Sequence, residues 1–185
     1  MDTTIYLIRH CQTTGQEPDA VLTAEGERQA EKLADFLSDA PITRIVSSPF
    51  VRAIQSIEPL AHRLRLRIET DPRLQERVLS DSSLSNWREN LRQTFEQLDL
   101  RFPGGESSRE AMQRASAVVH DVLRNPTGVV AIVSHGNLST LLLKQFDATI
   151  GFSTWERMTT PDVFALHLGE AGTRITRLWQ VDGRH

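Results

Sequence analysis

The stretch Ile5-Tyr6-Leu7-Ile8-Arg9-His10-Cys11-Gln12-Thr13 decides how this chain folds. Its first four residues are apolar or aromatic, which is typical of a short strand buried on both faces inside a parallel sheet. Arg9 and His10 follow at the carboxyl end of that strand, the edge where open α/β sheets bind ligands. Arg offers a rigid fork of donors and His can act as nucleophile or base, so the pair indicates an anion site. Two solvated polar residues at a strand end are the alternative interpretation.

The composition sets broad limits on what the chain can be. Its 185 residues, 39% hydrophobic and 24% charged, fit one domain over 1–185 with a sizeable core. A net charge of −3 gives no sign of the excess positive charge that is typical of proteins that bind nucleic acid. No signal-peptide pattern and no apolar run of membrane-spanning length is present, so we expect a cytoplasmic protein without membrane contact. One cysteine excludes an internal disulfide and a cysteine-rich metal site.

Strand and helix patterns alternate along the chain. Strands are predicted at 5–8, 42–46, 66–68 and 129–133, followed by a β-hairpin at 163–168 and 174–179. Helices are predicted from the N-cap Thr23 to Leu37, at 51–64 and 84–100, from Ser107 or Ser108 to a break at 125–128, and at 138–146. This alternation predicts a three-layer α/β/α sandwich with a mostly parallel central sheet and an antiparallel edge strand.

Three predicted strands end in residues that suit an anion. Arg9 and His10 follow the first strand, Arg52 opens the helix after the second, and His135 follows the strand at 129–133. The N-terminus of a helix adds backbone N–H groups and a favourable dipole at Arg52. If the strands are neighbours, two Arg and two His converge, which is what a phosphoryl group needs during transfer. The sequence contains no glycine-rich P-loop and no acidic metal cluster that would do this instead.

Six segments in this order resemble the motifs of the histidine phosphatase superfamily, in its phosphoglycerate mutase-like branch. The matching segments are 7–13 (Leu-Ile-Arg-His-Cys-Gln-Thr), 22–30, 47–53, 74–76 (Leu-Gln-Glu), 104–107 (Gly-Gly-Glu-Ser) and 133–136 (Val-Ser-His-Gly). The resemblance runs over nearly the whole chain and implies the phosphoglycerate mutase-like fold.

The resemblance also implies roles for individual residues. It makes His10 the nucleophile that becomes phosphohistidine, and Glu76 the acid that protonates the leaving oxygen and later activates water. The phosphoryl oxygens would be held by Arg9, Arg52 and His135. Further phosphate or substrate contacts are implied for Thr13, Gln16 and Gly136.

Some positions depart from the pattern of the superfamily or leave a choice open. Cys11 stands where the hallmark has Gly, which predicts that the backbone there does not need a glycine-only conformation. Gln16 replaces an Asn that touches phosphate in many members. The acids Asp71, Asp81 and Glu106 lie close enough in sequence to compete with Glu76.

The resemblance predicts a metal-independent phosphomonoesterase of the histidine acid phosphatase type, working through phosphohistidine on His10 without a cofactor. A short loop at 16–22, and the lack of the long insertion and tail of mutases, favour a phosphatase over a phosphoglycerate mutase. We expect a small phosphorylated metabolite as substrate and a monomer or homodimer. A phosphoprotein (phosphohistidine) phosphatase is another alternative. A non-catalytic phosphate-binding protein is a third, with Cys11 and Gln16 as signs of decay.

Overall fold

A computed structural model describes residues 3–124, 128–170 and 172–179 of the chain. Its strands are β1 (Thr3–Arg9), β2 (Ile42–Ser47), β3 (Ile68–Thr70), β4 (Val129–Ser134), β5 (Asp162–Gly169) and β6 (Gly172–Arg177). They form one sheet in the order β3-β2-β4-β1-β5-β6, in which the first four are mutually parallel. β5 runs antiparallel to β1, and β6 runs antiparallel to β5. The predicted mostly parallel sheet is confirmed, with two antiparallel strands at its edge.

Helices cover both faces of this sheet. They are α1 (Ala24–Leu37), α2 (Val51–Leu64), α3 (Trp87–Glu96), α4 (Ser108–Arg124), α5 (Gly136–Phe146) and α6 (Phe152–Glu156), and a 3-10 turn spans Pro72–Leu74. Ile8 packs with the buried residues of α1 and α2, whereas its neighbour Leu7 packs with those of α4 and α5. This follows from the pleat, since successive side chains of a strand point to opposite faces. No helix within the described ranges is long and apolar enough to cross a membrane.

Local capping explains where two helices begin. The Thr23 hydroxyl accepts the N–H of Gly26 at 3.0 Å, as predicted for the start of α1. At α4 the Ser107 hydroxyl accepts the N–H of Glu110 at 3.2 Å. The Glu110 carboxylate in turn accepts the N–H of Ser107 at 2.8 Å, which completes a capping box. Ser107 is therefore the cap of α4.

The third strand begins later than the sequence pattern predicted, at 68 instead of 66. Arg65 ends α2 in a left-handed conformation (φ 57°), and Leu66 donates its N–H to the carbonyl of Ala61 at 3.0 Å. Because that N–H is still bound to the helix, pairing with β2 starts only at Ile68, opposite Ile45. The helix predicted at 84–100 is correct but shorter, and α6 was not predicted. The predicted break at 125–128 falls largely on 125–127, which lie outside the described residues.

The sheet order brings together the three strand ends that carry or precede the candidate residues. β4 lies between β1 and β2, with Arg9 opposite Ser134 and Ser47 opposite Val133. Since all three strands are parallel, their carboxyl ends share one edge of the sheet. The condition that these strands are neighbours is met.

Candidate active site

His10 is buried at the end of β1, with 5% of its surface exposed. Its Nδ1–H donates to the carbonyl of Cys11 at 2.7 Å, so the proton sits on Nδ1 and the lone pair lies on Nε2. The pKa of His10 is lowered from 6.5 to about 4, mainly by burial and also by the charges of Arg52 and Arg9, while the Cys11 hydrogen bond acts in the opposite direction. His10 is therefore a neutral imidazole at pH 7, which is the form that can act as a nucleophile.

Arg52 lies next to Nε2 of His10. It lies in the first turn of α2, is 1% exposed, and its Nε–H donates to Nε2 of His10 at 3.3 Å. Its NH1 group donates to the carbonyls of Gln16 (3.1 Å) and Glu17 (2.8 Å), and its guanidinium stands 4.9 Å from the centre of the Phe50 ring. Arg52 thus links the histidine to the loop that follows β1.

Arg9 contributes a second guanidinium, packed against the start of α5. Its NH1 group donates to the carbonyl of Met158 at 3.2 Å, while its buried Nε has no partner among the described residues. A Cβ atom at Gly136 would lie only 2.9 Å from Cζ of Arg9, so any larger residue there would displace the guanidinium. Burial lowers the pKa of Arg9, and the charges of Glu76 and Asp162 oppose that effect.

His135 ends β4 and is completely buried beside His10, with ring centres 5.1 Å apart. Its Nε2 lies 2.8 Å from the hydroxyl of Ser48, whereas its buried Nδ1 has no partner in the described ranges. Burial holds the pKa of His135 well below its usual value, and the charges of Arg52, Arg114 and Arg9 act in the same direction. His135 is therefore neutral, with one ring nitrogen free to contact a ligand.

Glu76 lies at the N-terminus of α5, next to the two guanidinium groups. Its Oε1 accepts the N–H groups of Arg77 (2.8 Å) and Leu138 (2.9 Å), and its Oε2 accepts that of Asn137 at 3.2 Å. A negative charge is favoured there by the helix dipole. Its charge also raises the pKa of Arg9 and Arg52 against the effect of burial, which places a carboxylate within electrostatic range of both.

The three competing acids are placed less favourably than Glu76. Asp71 forms an ion pair with Arg73 at 2.7 Å, and Glu106 forms one with Arg114. Asp81 is exposed and packs against Gly104. Of these four acids, Glu76 is the one whose charge acts on both guanidinium groups beside His10.

Arg114 was not singled out in the sequence, yet it holds the segment that carries Glu76. Its NH1 group donates to the carbonyls of Arg73 (2.6 Å) and Gln75 (2.8 Å), and its Nε donates to the Glu106 carboxylate at 3.0 Å. An Arg on the polar side of a helix gives no sequence signal for such a role, because its acceptors are carbonyls about 40 residues earlier in the chain.

Thr13 and Gln16 lie in the loop over Arg52, but the hydrogen bonds of their side chains among the described residues do not involve His10. The Thr13 hydroxyl donates to the carbonyls of Val21 (3.0 Å) and Gly15 (3.2 Å) within the loop itself. The Gln16 side chain is exposed, and this residue reaches the site through its backbone carbonyl on Arg52. The structure thus brings Arg9, His10, Arg52, His135, Gly136 and Glu76 together and leaves these two side chains aside.

Cys11 is a buried core residue beneath the site. It is 0% exposed and packs among the apolar residues of α1 and α2, and its N–H donates to the hydroxyl of Ser56 at 2.8 Å. Burial raises the pKa of its thiol to about 12, so it is not a thiolate at pH 7. Within the described ranges Arg65 alone among non-glycine residues has a positive φ, so Cys11 needs no glycine-like backbone.

The fold agrees with comparisons to known proteins. The sequence profile of the histidine phosphatase superfamily (branch 1) matches residues 5–180. The chain belongs to that superfamily, as its motifs predicted.

Three known proteins illustrate the relationship. The probable phosphoglycerate mutase GpmB of Proteus mirabilis (strain HI4320) is 34% identical over 150 residues, which cover 71% of this chain and 69% of that protein. The structure of YhfR from Bacillus stearothermophilus superposes with a TM-score of 0.77 at 26% identity, covering 95% of this chain and 96% of that one. A mycobacterial glucosyl-3-phosphoglycerate phosphatase shares the fold, with a TM-score of 0.75, 22% identity, and 96% and 97% coverage.

Proposed function

We propose that this protein is a metal-independent phosphatase that hydrolyses phosphomonoesters through a phosphohistidine on His10. The observation that carries the proposal is the state of His10: a neutral imidazole with its proton fixed on Nδ1 by the Cys11 carbonyl. Its Nε2 is surrounded by the cationic and imidazole groups that a phosphoryl group requires, from Arg52, Arg9 and His135.

The first chemical step transfers the phosphoryl group to the protein. Nε2 of His10 attacks phosphorus, a P–N bond forms, and the bond to the leaving oxygen breaks. Arg9, Arg52 and His135 stabilise the charge on the equatorial oxygens. Glu76, a carboxylate in the site described above, takes up a proton as the substrate binds and passes it to the leaving oxygen. A carboxyl group has about four lone-pair sites, and since three accept backbone N–H groups, one is left for that proton.

The second step returns His10 to its neutral form. The Glu76 carboxylate takes a proton from a water molecule, whose oxygen attacks phosphorus as the P–N bond breaks. Phosphate leaves, and Glu76 is again protonated for the next cycle. Dividing the hydrolysis into two transfers lowers the barrier of each.

The experiment that tests this proposal is rapid acid-free quenching with a ³²P-labelled ester in the presence of EDTA. Wild-type protein should release phosphate and carry an alkali-stable, acid-labile label, as expected of a P–N bond. His10→Ala should lose both turnover and label. His62→Ala, which removes an exposed histidine of α2, is the matched control and should keep both. Near-normal turnover in His10→Ala, or a label on Ser or Cys, would contradict the proposal.

A phosphoglycerate mutase is the second candidate, because a relative at 34% identity carries that description. A mutase returns the phosphoryl group of His10 to a second hydroxyl of the substrate, whereas a phosphatase passes it to water. Incubation with 3-phosphoglycerate, with and without a bisphosphoglycerate, separates the two. We expect free phosphate without isomerised product, and isomerisation that depends on the bisphosphate would favour the mutase.

The substrate we propose is a small phosphorylated metabolite with an alkyl leaving group. The proposed proton donor Glu76 supports this, because an alkyl phosphate must release a strongly basic alkoxide, which needs a proton in order to leave. The P–N bond of a phosphohistidine in a protein depends less on such a proton donor. A panel of sugar, glycerate and nucleoside phosphates, compared with a phosphohistidine peptide, tests it. We also propose that the chain is one domain over 1–185 and that it is cytoplasmic. We further propose a monomer or homodimer, and light scattering of the purified protein tests this oligomeric state.

A further inference from the structure

Ser48 touches the second histidine of the site. It follows β2, is completely buried, and its Oγ lies 2.8 Å from Nε2 of His135. The same oxygen accepts the backbone N–H of Phe50 at 3.3 Å. These are the two contacts of this hydroxyl within the described residues.

The hydrogen count leaves two directions for the Ser48–His135 hydrogen bond. A hydroxyl has one hydrogen to donate and two lone pairs that accept. The N–H of Phe50 occupies one lone pair. If Nε2 of His135 donates to the hydroxyl, the hydrogen of Ser48 has no acceptor among the described residues; if the hydroxyl donates to Nε2, the unpartnered donor is Nδ1–H of His135. A phosphoryl oxygen beside His10 can accept from Nδ1–H, so the proposed function favours the second direction.

We propose that Ser48 is a positioning residue that fixes His135 in the Nδ1–H tautomer, so that Nδ1 donates a hydrogen bond to a phosphoryl oxygen. The use of that donor rests on the proposed function. A second observation supports it: Nδ1 is a buried polar atom without a partner in the described ranges, on a ring 5.1 Å from that of His10. The opposite tautomer would offer a lone pair to the phosphoryl oxygens and repel them.

Nuclear magnetic resonance of the ¹⁵N-histidine-labelled wild-type protein tests the tautomer directly. Nδ1 of His135 should carry the proton, and Nε2 should show the shift of an unprotonated nitrogen. The signals are assigned by their loss in His135→Gln. A proton on Nε2 would overturn the proposal, and this measurement needs neither a Ser48 variant nor activity.

Inhibition by vanadate tests the consequence for anion binding. Ser48→Ala removes the donor that fixes the tautomer, and we expect vanadate to bind about tenfold or more weakly with a parallel loss of kcat. Ser48→Thr keeps the hydroxyl and should restore much of the binding. Ser47→Ala is the matched control: this buried neighbour donates its hydroxyl to the Ser48 carbonyl at 2.9 Å and does not touch the histidine.

The outcomes separate this inference from the proposed function. A folded Ser48→Ala protein that binds vanadate as wild type does would overturn the role of Ser48. Activity in His10→Ala would overturn the phosphohistidine route but leave the tautomer result standing. If Ser48→Ala does not fold, the resonances of the wild-type protein still decide the assignment.

Discussion

The Nε–H group of Arg52 donates to Nε2 of His10 across 3.3 Å. In the proposed reaction this is the nitrogen that attacks phosphorus. Its lone pair is therefore engaged by a cation before substrate binds, which helps to keep His10 neutral. When a phosphoryl group arrives, this N–H must leave the ring and donate to an oxygen of the substrate. Arg52 thus prepares the nucleophile and then stabilises the charge that its attack creates.

Arg52→Lys should separate charge from geometry at this position. Lysine keeps the positive charge but loses the planar fork that reaches both His10 and the carbonyls of Gln16 and Glu17. We expect kcat to fall about 100-fold, the size of loss seen when one donor to a developing oxyanion is removed. Steady-state kinetics and vanadate inhibition measure this. Arg63→Lys, an exposed ion-paired site on the same helix, should change neither.

Glu76→Gln should show a strong dependence on the leaving group. The variant keeps the size of the side chain but has no proton to donate. An alkoxide leaves poorly without a proton, whereas nitrophenolate leaves readily. We expect about a 100-fold loss on glycerol or sugar phosphates and a much smaller loss on nitrophenyl phosphate.

Comparison of kcat on the two substrate classes checks the role of Glu76. Asp81→Asn, in an exposed loop acid, serves as the control and should leave both rates unchanged. Equal losses on both substrates in Glu76→Gln would point to binding instead of proton transfer. Leaving-group dependence in Asp81→Asn or Glu106→Gln alone would mean that the acid has been misassigned.

Arg114→Met should weaken catalysis without removing any group that touches the substrate. The change frees the carbonyls of Arg73 and Gln75 and leaves the Glu106 carboxylate without its partner. Because Glu76 then loses its fixed position, kcat on alkyl phosphates should fall about tenfold, with KM nearly unchanged. Arg109→Met, at an exposed ion pair on α4, is the matched control. A change in KM alone would argue against a positioning role.

Stability should decrease in mild acid because of His10. The unfolded chain binds a proton on this histidine below pH 6.5, whereas the folded protein does not until about pH 4. Folding therefore becomes less favourable as pH falls through this window. The contribution should be about 2 kcal/mol between pH 7 and pH 5. Denaturant unfolding at both values should show a smaller decrease for His10→Asn, and an equal decrease would contradict the lowered pKa.

Cys11→Ser should keep turnover and lose stability. The thiol is buried among apolar residues below the site, so a hydroxyl there loses hydrogen bonds to water and costs about 1–3 kcal/mol. Thiol reagents should react slowly with the native protein and quickly once it unfolds, since burial raises the pKa to about 12. Rapid labelling of native protein, or an inactive but folded Cys11→Ser, would show that the sulfur has another role.

Much of the fold could be predicted because its central strands carry a strong local pattern. The apolar runs 5–8 and 129–133 can only be buried on both faces, and both form central strands of the sheet. The start of β3 depended on a hydrogen bond from Leu66 back to α2, which no pattern encodes. The helix α6 has five residues and is too short for helical periodicity to appear.

In the candidate site, too, residues next to predicted strands could be identified from the sequence, whereas contacts between residues far apart in the chain could not. Arg9, His10 and His135 could be placed because each lies within two residues of the end of a predicted strand. The contact of Ser48 with His135 joins residues 87 positions apart, and the hydrogen bond from Arg114 to the Gln75 carbonyl joins residues 39 positions apart. Such pairs depend on how the helices pack on the sheet. They became visible only with the three-dimensional structure.

The hold of Arg52 on the loop after β1 has a consequence for redesigning substrate scope. The loop is attached through the backbone carbonyls of Gln16 and Glu17, and Val51 adds a bond to the carbonyl of Pro18. A library that varies the side chains at 16 and 17 keeps these backbone bonds. The residues at the edge of the site can therefore be changed with little loss of catalysis. An insertion between Thr13 and Gln16 moves the carbonyls themselves and displaces the guanidinium with them. Libraries at this edge of the site should therefore vary the side chains and keep the length of the loop constant.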